Sequence, residues 1–222
     1  MMVENNIILA MDLTDLTEAL RVTGQIIDYI DTVKIGYPLV LSAGMGCIQE
    51  FKEKLQCKII ADFKVADIPE TNEKICNITF EYGADAIIVH GFTGPDSIKA
   101  CMEAANKKGK EIFLLADMSH PGSEKFMGKV SEEIAKLGVQ LGVGNYVAPA
   151  TKLESLMRIR RIVGDDAFII SPGVGFQGGE IIKTLKFADA LIIGRTIYLS
   201  KDPRKTMEEL IEILEDAHQT GL

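Results

Sequence analysis

The chain has 222 residues, of which 47% are hydrophobic, and this length and composition suit one medium-sized domain with a substantial core. It carries 32 acidic and 24 basic residues, and the formal net charge of -8 argues against general attraction to nucleic acid or to an anionic membrane surface. Any anionic ligand must therefore be bound by local groups.

Short apolar runs alternate with longer amphipathic stretches along the chain. The eight runs are, in order, Ile7–Asp12, Val33–Tyr37, Lys58–Lys64, Ala86–His90, Ile112–Ser119, Gly144–Val147, Phe168–Ser171 and Ala190–Gly194. Apolar residues recur at helical spacing in Glu70–Tyr82, Ser97–Lys108, Lys152–Ile162 and Met207–Leu214. This alternation is expected when helices connect parallel strands, and nearly continuous apolar strands indicate burial on both faces.

The number of strand–helix units predicts the fold class. Eight units in 222 residues favour an α/β fold, a closed (β/α)8 TIM barrel that forms a single domain over residues 1–222. An open doubly wound sheet is the alternative. Barrel enzymes place their chemistry at the C-terminal ends of the strands, so the polar residues that end the apolar runs are the candidate site residues.

The third run leads into the sequence ADFKVADIP, which spans residues 61–69. Side chains two apart on a strand share a face, so Asp62 and Lys64 are predicted to point together into the barrel mouth. Burying both charges is costly unless they are paired, and Asp67, in the following loop, can add a second carboxylate beside the lysine. A structural ion pair is the alternative to catalysis. Lys34, near the end of the second run, supplies another cation and favours catalysis.

The last two runs lead into segments with the features of a phosphate site. The glycines of Gly173–Gly179 permit close backbone approach, Gln177 can donate an amide N–H, and Arg195 offers two donors. In such barrels the loops after strands seven and eight often bind phosphate. A glycine-rich turn and an unrelated surface arginine would be the alternative interpretation.

Taken together, these motifs resemble the orotidine 5′-monophosphate decarboxylase family. The family motif DxKxxD occurs as Asp62, Lys64 and Asp67, and the usual Ile-Pro follows it. Further matches are Leu9–Asp12, Val33–Gly36, Asp117–Gly122, Ser171–Gly179 and Ile193–Arg195. Related barrels that act on sugar phosphates share DxKxxD, so the more specific signal is its conjunction with Lys34, Ser119, Gln177 and Arg195.

The resemblance implies that orotidine 5′-monophosphate is decarboxylated to uridine 5′-monophosphate, the last step of UMP synthesis, with no metal or organic cofactor. Lys64 would stabilise the charge that develops at C6 and protonate it, in a catalytic row with Lys34, Asp62 and Asp67. The substrate-binding residues that the resemblance implies are Asp12, Lys34, Ile68, Thr71, Ser119, Pro172, Gln177, Gly194 and Arg195. Among them, Ser119 would read the pyrimidine edge, and Asp12, Lys34 and Thr71 would hold the ribose hydroxyls.

The resemblance also implies a homodimer. In the family, the residue that matches Asp67 lies in the active site of the neighbouring subunit. Each site would then combine Asp62 and Lys64 of one chain with Asp67 of the other.

Two other functions remain open at this stage. A magnesium-dependent sugar-phosphate decarboxylase or aldolase of the same superfamily typically has a glutamate where this chain has Lys34, and a cation cannot be a magnesium ligand. A non-catalytic barrel that binds a nucleotide monophosphate would need the phosphate loop but not the charged row. His90 and His120 lack metal-ligand spacing, so we predict structural histidines with satisfied hydrogen bonds and no metal site.

Cysteine usage and hydropathy bear on the compartment. Cys47, Cys57, Cys76 and Cys101 form no CxxC pair and are predicted to be structural thiols in a reducing compartment. No apolar run approaches the roughly 18 residues of a membrane span, and the N-terminus lacks the layout of a secretory signal. We therefore expect a cytoplasmic protein that has no membrane partner.

Overall fold

The structure is a computed structural model that describes residues 3–174 and 178–219. Its strands are β1 (Ile7–Met11), β2 (Thr32–Gly36), β3 (Lys58–Val65), β4 (Ala86–His90), β5 (Glu111–Leu115), β6 (Asn145–Val147), β7 (Phe168–Pro172) and β8 (Ala190–Ile193). Consecutive strands pair in parallel, and β1 pairs with β8, which closes the barrel. The predicted (β/α)8 barrel is confirmed, and the open doubly wound sheet was wrong.

Helices connect the strands and cover the outside of the barrel. They are α1 (Leu16–Ile26), α2 (Tyr37–Ala43), α3 (Gly46–Leu55), α4 (Pro69–Glu81), α5 (Pro95–Lys107), α6 (Met127–Leu141), α7 (Leu153–Val163), α8 (Gly178–Leu185), α9 (Arg195–Tyr198) and α10 (Pro203–Gln219). Short 3₁₀ helices span Glu4–Asn6, Gly91–Thr93, Pro121–Lys125 and Ala150–Lys152. Proline begins α4 and α5, where the first helical residue needs no N–H donor.

The core has two layers because each strand is buried on both faces. Side chains such as Ile8, Ile60 and Phe113 fill the barrel interior. Their neighbours along the strands, such as Leu9 and Ala61, pack outward against the helices. This arrangement confirms the burial inferred from the apolar runs and explains why only strand ends carry polar groups to the barrel mouth.

One strand boundary was wrong. The run Ile112–Ser119 was predicted to be strand throughout, but β5 ends at Leu115. The backbone N–H of Ala116 still donates to Val147 O at 3.1 Å. The Asp117 carboxylate then accepts the N–H of Met118 at 2.7 Å, which gives that donor a local partner in place of a neighbouring strand.

Two further expectations concern cysteines and membrane contact. All four cysteines are buried and free, as expected of structural thiols. No helix in residues 3–174 or 178–219 has both the length and the apolar character needed to cross a membrane.

Candidate active site

The C-terminal ends of the strands surround a cavity of about 330 Å³, a volume in the range of small-molecule sites. Eight of the residues predicted from sequence line it: Asp12, Lys34, Asp62, Lys64, Ser119, Pro172, Gly194 and Arg195. Apolar side chains from the barrel interior, including Ile88, Leu115 and Ile192, form other parts of its wall. The cavity therefore has charged groups beside an apolar wall, where electrostatic interactions are stronger than in water.

Two lysines bind the two oxygens of one buried carboxylate in this cavity. Lys34 Nζ lies 2.5 Å from Asp62 Oδ2, and Lys64 Nζ lies 2.6 Å from Asp62 Oδ1. The side chain of Lys34 is 7% exposed, whereas that of Lys64 is 35% exposed. Lys34 is thus a buried partner of Asp62, and Lys64 is the cation that a ligand in the cavity can reach.

The pair of lysines determines the ionisation of Asp62. Burial alone would raise the pKa of this carboxyl group, but the charges and hydrogen bonds of Lys34 and Lys64 outweigh burial and lower the pKa below its ordinary value. Asp62 is therefore ionised at neutral pH, and the three groups together carry a net charge of one positive unit. A site of this charge suits an anionic substrate.

The end of β3 departs from regular strand geometry at the lysine. Lys64 has a φ of 44°, and the pairing of β3 with β4 shifts register between Ala61 and Val65. Non-glycine residues seldom adopt a positive φ, and such positions concentrate at functional sites. Phe63 packs outward, as predicted, with its ring stacked on Tyr37 at 5.3 Å between centroids.

Asp12 and Tyr198 lie on the side of the cavity formed by β1 and β8. A Cβ atom at residue 36 would overlap Asp12 Oδ1, so Gly36 leaves the space that this carboxylate occupies. Burial, together with the negative charge of Asp12, raises the pKa of Tyr198, which stays a neutral hydroxyl group. Sequence reasoning missed Tyr198, although its position three residues after Arg195 in α9 brings it to the same mouth.

The loops after β5, β6 and β7 meet at another part of the cavity. Gly173 has a φ of 94°, and a Cβ atom there would lie 2.7 Å from Thr151 Cγ2. Thr151 Oγ1 in turn donates to Ser119 O at 2.9 Å. Glycine is required at residue 173 both for its left-handed conformation and for this close approach.

Arg195 begins α9, directly after β8. Its side chain is exposed and makes no ion pair or side-chain hydrogen bond with any residue the structure describes. It lines the cavity together with Gly173 and Gly194. Gln177, the other predicted phosphate ligand, lies outside the described residues.

Three predicted site residues do not line the cavity of their own chain: Asp67, Ile68 and Thr71. They lie at the start of α4, where the Asp67 carboxylate accepts the N–H of Ile68 at 2.7 Å. Within the described part of the chain, Lys64 pairs with Asp62, and Asp67 makes no ion pair. Among the described residues, Asp67 therefore does not supply a second carboxylate beside the lysine.

His90 ends β4 close to the charged row. Its Nδ1 atom is buried and has no hydrogen-bond partner among the described residues, so the expectation of a satisfied histidine was wrong. Burial, with the positive charge of Lys64, lowers the pKa of His90 to about 4, which leaves the ring neutral against Phe92. Elsewhere in the described residues, no three His, Cys, Asp or Glu side chains are grouped to hold a metal ion.

Comparisons with known proteins agree on one family. The model of the "Orotidine 5'-phosphate decarboxylase / HUMPS family" matches residues 5–210. Orotidine 5'-phosphate decarboxylase of Methanosphaera stadtmanae is 57% identical over 212 residues, which are 96% of this chain and 98% of that protein.

Solved structures give the same result. The decarboxylase from Methanocaldococcus jannaschii, in complex with inhibitor BMP, has 43% sequence identity and a TM-score of 0.88 over 94% of this chain and 97% of that one. The enzyme from Pyrococcus horikoshii has 34% identity and a TM-score of 0.88, covering 94% and 99% of the two chains.

Proposed function

The chain belongs to the orotidine 5'-phosphate decarboxylase / HUMPS family, and we propose that it converts orotidine 5′-monophosphate to uridine 5′-monophosphate and CO2. The observation that carries this proposal is the pair of lysines on the Asp62 carboxylate at the barrel mouth. The direct test is the loss of orotidine 5′-monophosphate absorbance with the purified chain, with uridine 5′-monophosphate identified as the product. A chain that binds the nucleotide but leaves it unchanged would contradict the proposal.

Lys64 is the proposed acid and electrostatic catalyst. When the bond between C6 and the carboxylate breaks, CO2 leaves and the electron pair stays on C6 in an orbital that the ring cannot easily delocalise. A fixed ammonium group beside C6 stabilises that charge, transfers a proton to C6 and regains a proton from solvent. The partial exposure of Lys64 to the cavity supports this role, because the group is accessible to substrate and water.

Asp62 and Lys34 prepare Lys64 for this step. An ionised Asp62 favours the charged form of Lys64 and fixes its position, so little reorganisation is needed during the reaction. Lys34 neutralises the second oxygen of Asp62, and we propose that it also binds a ribose hydroxyl together with Asp12, which follows the neighbouring strand β1. Repulsion between Asp62 and the substrate carboxylate would also lower the activation barrier, because it destabilises the bound substrate.

Arg195, Gln177 and the backbone around Gly173 are the proposed phosphate ligands. We expect Arg195→Ala to raise KM and to lower kcat/KM roughly 10- to 100-fold, the scale of a hydrogen bond to a charged group. The contact is remote from C6 and exists before the reaction begins. Steady-state kinetics should be compared with those of Arg158→Ala, which removes an exposed arginine on α7 that pairs with Glu132. An unchanged KM would remove Arg195 from the phosphate site.

The chemistry of the charged row favours the decarboxylase over the sugar-phosphate branch of the family. Lys34 and Lys64 are hydrogen-bonded to the two oxygens of Asp62, where a magnesium ion would need free carboxylate oxygens. A non-catalytic nucleotide-binding barrel would have no use for this row, whose burial is costly.

Reaction in the presence of a chelator tests this distinction. Because ammonium groups supply the positive charge, we expect wild-type turnover to be unchanged in excess EDTA. The chelated and untreated enzyme should be assayed in parallel. A loss of activity that Mg²⁺ specifically restores would move the assignment to the sugar-phosphate branch.

We also propose a homodimer whose active sites are shared. Asp67 is exposed and does not reach its own Lys64, and Ile68 beside it is 61% exposed. Tyr37 and Phe92, which follow β2 and β4 on either side, are also large exposed hydrophobic residues. Exposed apolar side chains after three adjacent strands, together with a carboxylate that has no ion-pair partner among the described residues, fit a second copy of the chain, which would receive Asp67, Ile68 and Thr71 beside its nucleotide.

The remaining expectations are the extent of the domain and its compartment. The barrel runs from β1 to β8 and α10 packs against α1, which supports one decarboxylase domain over residues 1–222. Four buried free thiols support a cytoplasmic location.

A further inference from the structure

A second buried carboxylate, Asp117, lies beside the cavity and outside the reacting row. It follows β5, is fully buried and contributes to the cavity wall. Its oxygens accept hydrogen bonds from the N–H of Met118 at 2.7 Å, from Ser155 Oγ at 2.9 Å and from Lys152 Nζ at 3.1 and 3.2 Å. Asp117 therefore accepts its hydrogen bonds from groups of the protein itself.

Lys152 connects this carboxylate to the loop that follows β5. Its ammonium group donates to Ser123 Oγ at 2.6 Å and pairs with Glu124 Oε1 at 2.7 Å. Ser123 Oγ lies 2.9 Å from Met118 O and 2.8 Å from His120 O, so its proton serves these two carbonyl groups. The loop is thereby held on both sides of Ser119.

Lys152 is a suitable centre for this network because it remains charged. Burial alone would lower the pKa of Lys152, but the hydrogen bonds to Glu124 and Asp117 outweigh burial and raise it above its ordinary value. Its side chain is 13% exposed, and that of Asp117 is 1% exposed. Water therefore screens the attraction between the two charges only weakly.

Ser119 is the residue whose position the network determines. Its carbonyl group accepts from Thr151 Oγ1, the residue that precedes Lys152. Its own hydroxyl group has no hydrogen-bond partner among the described residues, and the residue lines the cavity. A serine with a restrained backbone and a free hydroxyl group is suited to reading a polar edge of a ligand.

We propose that Lys152 is a positioning residue for recognition of the pyrimidine base: through Asp117 and Ser123 it holds the loop after β5 so that Ser119 faces the base. This inference rests on the proposed function, which supplies the base. Lys152 touches no substrate in this role. Its effect is confined to ligands that carry a base, and it acts through Ser119.

The decisive experiment compares two ligands, uridine 5′-monophosphate and ribose 5-phosphate. Both contain ribose and phosphate, but only the first carries a base. We expect Lys152→Met to weaken binding of uridine 5′-monophosphate about 10-fold in calorimetric titration, the scale of a lost hydrogen bond. Binding of ribose 5-phosphate is expected to change by less than about twofold, since Arg195 lies on the loop after β8 and the side chain nearest to Gly173 is Thr151, which Lys152→Met leaves in place. Lys152→Arg retains the charge and should restore most of the affinity for uridine 5′-monophosphate relative to ribose 5-phosphate.

Coupling to Ser119 separates positioning from a general structural role. Ser119→Ala should weaken uridine 5′-monophosphate binding in the wild-type background but should have little further effect in Lys152→Met. Lys110→Met is the matched control, because Lys110 pairs with the partly buried Asp85 at 3.0 Å, before β4 and at the opposite end of the barrel. It should leave the affinities for both ligands unchanged.

Each result has a defined consequence. The inference would be overturned if Lys152→Met lost equal affinity for the two ligands or kept its affinity for uridine 5′-monophosphate. It would also be overturned if the effects of Ser119→Ala and Lys152→Met on that affinity were additive. If Lys152→Met does not fold, Asp117→Asn combined with Lys152→Met removes both buried charges and is judged by the same criteria. Failure of the wild-type chain to decarboxylate orotidine 5′-monophosphate would instead contradict the proposed function.

Discussion

Lys64→Ala is expected to reduce kcat for decarboxylation by roughly a thousandfold or more, the scale of removing a preorganised donor from a site of developing charge. The main interaction of Lys64 is with charge that exists at C6 only in the transition state. Binding of uridine 5′-monophosphate should survive, because the groups proposed to hold phosphate and ribose are untouched. Turnover is measured by loss of substrate absorbance, and binding is measured by calorimetry.

The structure predicts that this variant folds. Asp62 keeps its hydrogen bond to Lys34 at 2.5 Å, so removal of Lys64 does not leave a buried carboxylate without a cation. Lys54→Ala is the matched control, because it removes an exposed lysine of α3 that pairs with Glu50 in its own helix. If Lys64→Ala kept turnover within about tenfold of wild type, Lys64 would lose its proposed role.

The sequence predicted the relative placement of groups within single strands well. Asp62 and Lys64 were expected to share a face because strand side chains alternate, and both line the cavity while Phe63 packs outward. Periodicity did not predict the positive φ of Lys64 or the register shift beside it. These features depend on pairing with β4, which a local pattern does not contain.

Contacts between distant segments were the hardest to predict. The apolar run continues after β5 and predicts strand there, and nothing local shows that the Asp117 carboxylate will bind the next N–H. Lys152 and Ser155 lie more than 30 residues beyond Asp117 in sequence, and closure of the barrel brings them together. Tyr198 was missed for the same reason, since no spacing rule connects it to Asp12.

The proposed dimer yields the second large effect, which is a recovery of activity. Lys64→Ala and Asp67→Ala chains are each expected to be nearly inactive as homodimers, and mixed dimers form when both are dissociated and reassembled together. If Asp67 serves the neighbouring subunit, one site of a mixed dimer carries both defects, and the other combines normal Lys64 with normal Asp67. Random mixing of equal amounts makes about half the dimers mixed, so activity should recover to roughly a quarter of wild type.

The geometry of Asp67 makes this recovery the expected result, since within its own chain the carboxylate binds the N–H of Ile68 and makes no ion pair with Lys64. Asp165→Ala serves as the control partner for Lys64→Ala, because it removes an exposed carboxylate from the loop before β7, at the opposite end of the barrel. Its own Lys64 and Asp67 are normal, so its homodimers should be active. Mixing it with Lys64→Ala should therefore dilute activity and restore none.

If Asp67 acted within its own subunit, every site in a dimer of Lys64→Ala and Asp67→Ala would carry one defect. Absence of recovery despite confirmed subunit exchange would then refute the shared site, and Asp67 would be left as a residue that shapes the start of α4.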